Sequence, residues 1–121
     1  GSQGAESTGA MDAPAPWGNL LAVPDGPLDG ERFDALLAGG AFRLERIVST
    51  GQSSPPGFWY DQEDGEWVAL LSGAAELQFE DEAEPRRLVP GDWLHIAPHR
   101  RHRVHWTAQD QTTVWLAIHY R

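Results

Sequence analysis

Residues 91–102 read Gly91-Asp92-Trp93-Leu94-His95-Ile96-Ala97-Pro98-His99-Arg100-Arg101-His102, and this stretch decides the architecture. Pro90-Gly91-Asp92 is a sharp turn of the kind that feeds a strand, because proline presets one backbone angle and glycine supplies the conformation other residues avoid. Trp93–Ile96 is the strand it feeds. Pro98 forces a second turn, and 102–106 then resumes a period of two.

Working outward, the same punctuation recurs. Glu66 to Leu71 alternates, and Ser72-Gly73 turns the chain into residues 74–79, with Ala75, Leu77 and Phe79 on one face. An acidic loop, residues 80–84, leads to a short strand at 86–89. Residues 112–120 close the series with Val114, Leu116, Ile118 and Tyr120 on one face, and Phe42, Leu44, Ile47 and Val48 mark an earlier strand. Strands at about 8–12-residue spacing with Gly/Pro turns between them predict a barrel or sandwich. Ahead of them, Asp29 is placed to cap a short helix carrying Phe33, Leu36 and Leu37, with Gly39-Gly40 as its stop. Residues 12–27 hold four prolines and predict an extended arm anchored by Trp17, Leu20 and Leu21. Residues 1–11 read as a vector-derived scar ahead of Met11. The expected division is therefore 1–11 scar, 12–40 arm and helix, 41–121 barrel.

Composition bounds the function. The chain has 121 residues, which predicts one domain. Its formal net charge of −9 repels phosphate backbones and argues against nucleic acid as a partner. No apolar run approaches the roughly 18 residues of a membrane span, so a cytoplasmic protein with no membrane partner is expected. Cysteine is absent, which removes disulfides, thiolate nucleophiles and zinc–cysteine sites. All nine basic residues are arginine, which removes Schiff-base and lysine general-base chemistry.

Over residues 41–120 these segments resemble the cupin family, which carries two short motifs. The first is a glycine, His-x-His, three or four residues, Glu, six residues and Gly. Its second half is matched by Glu66 and Gly73 in EWVALLSG. The second is Gly-Asp, an apolar strand, Pro-x-Gly, two residues and His, matched by Gly91, Asp92 and His102. The resemblance implies an all-β fold: a cupin double-stranded β-helix, or jelly-roll barrel, here with a short N-terminal helix and extended arm. Two departures bear on function. The His-x-His positions hold Tyr60-Asp61-Gln62, or Trp59-Tyr60-Asp61 with a longer gap, and neither frame contains histidine. The Pro-x-Gly turn becomes Ala97-Pro98-His99.

In metal cupins, histidines and one carboxylate converge on a divalent ion inside the barrel. The resemblance therefore implies a pocket around Glu66 and His102, with Tyr60, Gln62 and Trp106 beside them. A metal set would be Gln62, Glu66 and His102, with Asp61 the alternative to Gln62. One imidazole among oxygen donors favours manganese or iron. The competing expectation is a pocket without a metal. Arg100 and Arg101 read as a cationic mouth for an anionic ligand or as a solvated turn. His95 and His105 fall on the opposite strand face from His102. The six tryptophans, among them Trp59, Trp93, Trp106 and Trp115, suit an aromatic ligand cavity, core filler or a homodimer face. Two functions stand open: a small-molecule-binding module, or a mononuclear-metal oxygenase or isomerase acting on a small organic molecule.

Overall fold

The computed structural model describes residues 18–24 and 26–121. The scar at 1–11 and the anchoring role of Trp17 lie outside the described residues. Eight strands follow one another: β1 Arg32–Ala38, β2 Phe42–Ser49, β3 Gly65–Ser72, β4 Ala75–Phe79, β5 Arg86–Leu88, β6 Trp93–Ile96, β7 His102–Thr107 and β8 Thr113–Tyr120. They form a five-stranded sheet in the order β1-β2-β8-β3-β6 and a three-stranded sheet in the order β5-β4-β7. Every pairing is antiparallel. The described residues contain no helix, and thus none long and apolar enough to cross a membrane.

Inward side chains obey the pleat. On β3, Glu66, Val68 and Leu70 are buried, and their β8 partners are His119, Ala117 and Trp115. Ala75, Leu77 and Phe79 on β4 close the core from the other sheet, joined by Leu88 and Ile96. The β3–β4 turn requires Gly73 (φ 86°), where a Cβ would lie 2.3 Å from the Thr113 hydroxyl. Gly91 (φ 100°) serves the turn before β6, which Asp92 closes by accepting the Val89 N–H on its carboxylate at 2.9 Å.

The expected helix is overturned: the segment carrying Phe33, Leu36 and Leu37 is strand β1. Gly39-Gly40 is a hairpin connection instead of a helix stop, with the Gly39 N–H donating to the Phe42 carbonyl at 2.9 Å. The i, i+3, i+4 spacing did not discriminate, because a strand with one irregular residue accommodates the same apolar positions. What decided the outcome is the free edge of β2, which offers seven residues a ladder of hydrogen bonds. Leu36 is absorbed as an irregularity between Ala35 and Leu37. The barrel sheet thus begins at Arg32. Of the arm's proposed anchors, Leu20 and Leu21 are exposed. The backbone holds this segment instead, since Arg46 Nη1 donates to the carbonyls of Asn19, Leu20 and Ala22 at 3.3–3.4 Å.

The altered turn keeps the geometry of the motif. His99 takes φ 62°, the left-handed conformation glycine would adopt without strain, and the Arg100 N–H donates to the Ala97 carbonyl at 3.1 Å. Two further contacts hold His99 there. Its N–H donates to the Gln62 carbonyl at 2.7 Å, and its Nδ1 lies 2.8 Å from Asp61 Oδ1.

Candidate functional site

The barrel encloses a cavity of about 310 Å³. Its apolar lining includes Val68, Leu77, Ile96, Val104 and Trp115, and three buried polar residues of its lining come from three different strands. β3 supplies Glu66, 8% exposed. The start of β7 supplies His102, 5% exposed. The end of β8 supplies His119, which pairs with Glu66 across the sheet.

His102 is fixed by its neighbours. It exchanges backbone hydrogen bonds with Tyr60, at 2.7 and 3.2 Å, and the two rings stack at 5.5 Å. Its Nδ1 lies 2.9 Å from the Arg100 carbonyl. A carbonyl only accepts, so Nδ1 carries the hydrogen and Nε2 is left facing the cavity. That Nε2 lies 3.7 Å from Glu66 Oε1, about one water's reach. Gln62 donates its Nε2–H to the same oxygen at 3.1 Å. The other Glu66 oxygen lies 3.9 Å from His119 Nε2, which is bound more closely to Glu45 Oε1 at 3.0 Å. Arg43 Nε donates to the second Glu45 oxygen at 3.3 Å. Glu66 therefore lies between two imidazoles.

The rim adds Glu31 and Phe33. The Ser49 hydroxyl donates to Glu31 at 2.7 Å, but burial outweighs that bond and pushes the Glu31 carboxyl above its ordinary range. Tyr60 is also pushed up, first by burial and then by the charges of Glu31 and Glu66.

Of the residues expected from sequence, Tyr60, Gln62, Glu66 and His102 come together on the cavity wall. Trp106, Arg100 and Arg101 do not line it. Trp106 is turned away by a register shift in β7: Glu76 pairs with Trp106 but Leu77 pairs with Val104, so His105 is the extra residue. His102 and Val104 keep facing inward, while Trp106 lies on the outside beneath the Arg87 guanidinium at 4.6 Å. Arg100 caps the Phe79 ring at 3.7 Å and binds Asp81 and Glu82, and Arg101 binds Glu80 at 2.9 Å. The cationic mouth is a surface ion-pair network. His95 and His105 lie outside the cavity, His95 stacked on Tyr120.

Sequence reasoning missed Glu31, Arg43, Glu45 and His119. On β8 the aliphatic series at 114–118 drew attention to one face, yet beyond Val114 the buried residues are Trp115, Ala117 and His119, while Leu116 and Ile118 are only partly buried. The missed signal lies in parity: His119 shares a face with Trp115, and Glu45 shares one with Ile47.

Of the expected metal ligands, Gln62, Glu66 and His102 stand together on the cavity wall, and Asp61 does not line it. Asp61 is half-exposed on the outside with His99. Gln62 donates an N–H to Glu66 Oε1 at 3.1 Å and keeps its own amide oxygen. His119 is committed to Glu45. Among the described residues, no three His, Asp or Glu are arranged to hold a metal.

A structure of a candidate mannose-6-phosphate isomerase from Ralstonia eutropha JMP134 is similar, with 47% identity and a TM-score of 0.85. The match covers 88% of this chain and 98% of that one. A cupin superfamily protein from Desulfitobacterium hafniense DCB-2 shares the fold at 18% identity and TM-score 0.69, covering 88% and 93% of the two chains. A sugar phosphate isomerase of the cupin superfamily from Silicibacter pomeroyi DSS-3 does so at 21% identity and TM-score 0.61, covering 77% and 60%. No curated protein matches the chain in sequence. Residues 45–119 match the Cupin_2 cupin-domain family over the strands that build the cavity, and the chain belongs to that family.

Proposed function

We propose that this chain is a small-molecule-binding cupin that holds an organic ligand inside the barrel, against Glu66 and His102, without needing a resident metal. The observation that carries this reading is the buried carboxylate flanked by two imidazoles at the wall of a cavity of about 310 Å³. That volume is at the small end of the roughly 300–1,000 Å³ of ligand pockets, and apolar walls with a few convergent polar groups are their usual make-up. Isothermal titration against a library of small organic molecules, with protein stripped by chelator, tests it. Binding should survive chelation, and Glu66→Gln or His102→Ala should weaken it about 10–100-fold, as expected for a lost charge-assisted hydrogen bond. Binding that vanishes on chelation and returns with manganese or iron would refute the metal-free form.

A second reading is supported by the Ralstonia relative named as a candidate mannose-6-phosphate isomerase. Aldose–ketose interconversion moves a proton from C2 to C1 through an enediol, and a carboxylate between imidazoles suits proton transfer. Glu66 would take the C2 proton and deliver it to C1, while the carbonyl oxygen gains a proton from the His102 imidazole, whose Nε2 faces the cavity, and the hydroxyl returns one to it. Mannose 6-phosphate incubated with the protein in deuterated water should then acquire carbon-bound deuterium. Its absence, with and without added metal, counts against this reading.

The proposal extends to a homodimer, because Trp93 and Leu37 are 59% and 57% exposed on the large sheet. Light scattering should give twice the monomer mass at micromolar concentration; a monomer mass throughout would remove this part.

A further inference from the structure

The residues that line the cavity are unbalanced in charge. Three carboxylates line it, Glu31, Glu45 and Glu66, against one guanidinium, Arg43. Arg43 and His119 both bind Glu45. Glu66 has an amide N–H from Gln62, and among the described residues Glu31 has only the Ser49 hydroxyl. His102 is 5% exposed, and its Nε2 faces the cavity with Glu66, at 3.7 Å, its nearest charged partner among the described residues. Donors remain on Arg43, Gln62 and the Tyr60 hydroxyl, but carboxylates outnumber the guanidinium three to one along the lining, so the excess that greets a ligand is negative charge. A phosphate or carboxylate brings only acceptors and negative charge. A neutral alcohol brings one donor per oxygen. An ammonium brings three donors and the missing charge. The ring faces of Tyr60, Trp115 and Phe33 suit a cation as well.

Building on the binding function proposed above, we infer that the ligand of this cavity carries a cationic, hydrogen-bond-donating head, an ammonium or amidinium, on a compact apolar body. The raised Glu31 carboxyl is consistent with this, since a bound cation would restore its charged form.

The test uses one ring with three head groups: benzylamine, benzyl alcohol and benzoate, with mannose 6-phosphate as a fourth ligand. Each is titrated into the full chain near neutral pH and followed by two-dimensional NMR at the Trp115 indole. Benzylamine should bind at least about tenfold more tightly than benzyl alcohol, and benzoate should not saturate. Glu31→Gln, which keeps an acceptor for Ser49, should reduce the amine-over-alcohol ratio at least about threefold. Alcohol, benzoate or mannose 6-phosphate binding as tightly as the amine would overturn the cationic head and leave the pocket reading standing. No shift of the Trp115 indole by any of the four would overturn both.

Discussion

Around Phe79, Arg86, Arg100 and Arg101 meet Glu80, Asp81 and Glu82, and each guanidinium finds a carboxylate within 3.2 Å. On the cavity wall the proportion is unequal, with three carboxylates to one arginine among the lining residues. The first group comes from two short runs of sequence, 80–86 and 100–101, lies at the surface and is internally neutralised. The second is scattered over β1, β2, β3 and their flanks and is short of positive charge. Dense charge in a sequence marks a surface that solves its own electrostatics. The charges available to a ligand are single residues set among apolar neighbours.

Phe79 joins the two regions, with Arg100 over one side of its ring and His102 at 6.2 Å. It is 1% exposed. Phe79→Ala should therefore cost about 3–5 kcal/mol in urea denaturation and perturb His102 resonances as well. A smaller cost with unchanged His102 signals would show the regions to be independent. His119→Ala acts on the cavity alone. It deprives Glu45 of its imidazole, and a loss of about 1–3 kcal/mol is expected. An unchanged denaturation midpoint would mean the imidazole adds nothing that Arg43 does not already supply.

The two regions should also titrate in opposite directions. Glu31 is raised above its ordinary value of 4.5 by burial, so its contribution is fully present below that value and is lost as pH rises through the folded one. Glu31→Gln should gain stability relative to wild type between about pH 4 and pH 7. Glu82 is lowered from 4.5, first by its hydrogen bond from Arg86, so its contribution is present above that value and fades as pH falls through the folded one. Glu82→Gln should be the less stable protein near about pH 7 and converge with wild type near about pH 3. Parallel pH profiles for the two variants would erase the distinction. The smallest effect belongs to Arg101→Ala, whose partner Glu80 and own side chain are each 45% exposed. Denaturation should register about 0–1 kcal/mol and ligand titration no change.

How much of this was legible depended on whether a residue's neighbours are close in sequence. The turns at Ser72-Gly73 and Pro90-Gly91-Asp92 are local, and they framed β3, β4 and β6 correctly. Glu66 and His102 were legible through motif spacing, and the structure brings them within 3.7 Å. Trp106 was misplaced because the extra residue in β7 reverses the alternation, and nothing in residues 102–106 announces it. β1 was misread because its apolar spacing suits a helix and a strand alike, and the choice was made by the open edge of β2. His119 and Glu45 were overlooked because each gains its meaning only from the other.

That last pair has a kinetic consequence. Glu45 and His119 are 74 residues apart, and Ser49 and Trp115, joined by a hydrogen bond, are 66 apart. β8 lies between β2 and β3 in the middle of the large sheet, so the sheet exists only after a long loop has closed. Such closure places refolding in the slow range of milliseconds to seconds for topologies dominated by distant pairings. A chain caught before that event has neither the sheet nor the buried carboxylate. Protection of Trp115 from solvent and the onset of ligand binding should therefore appear with a single rate constant, and no earlier collapsed species should hold a ligand.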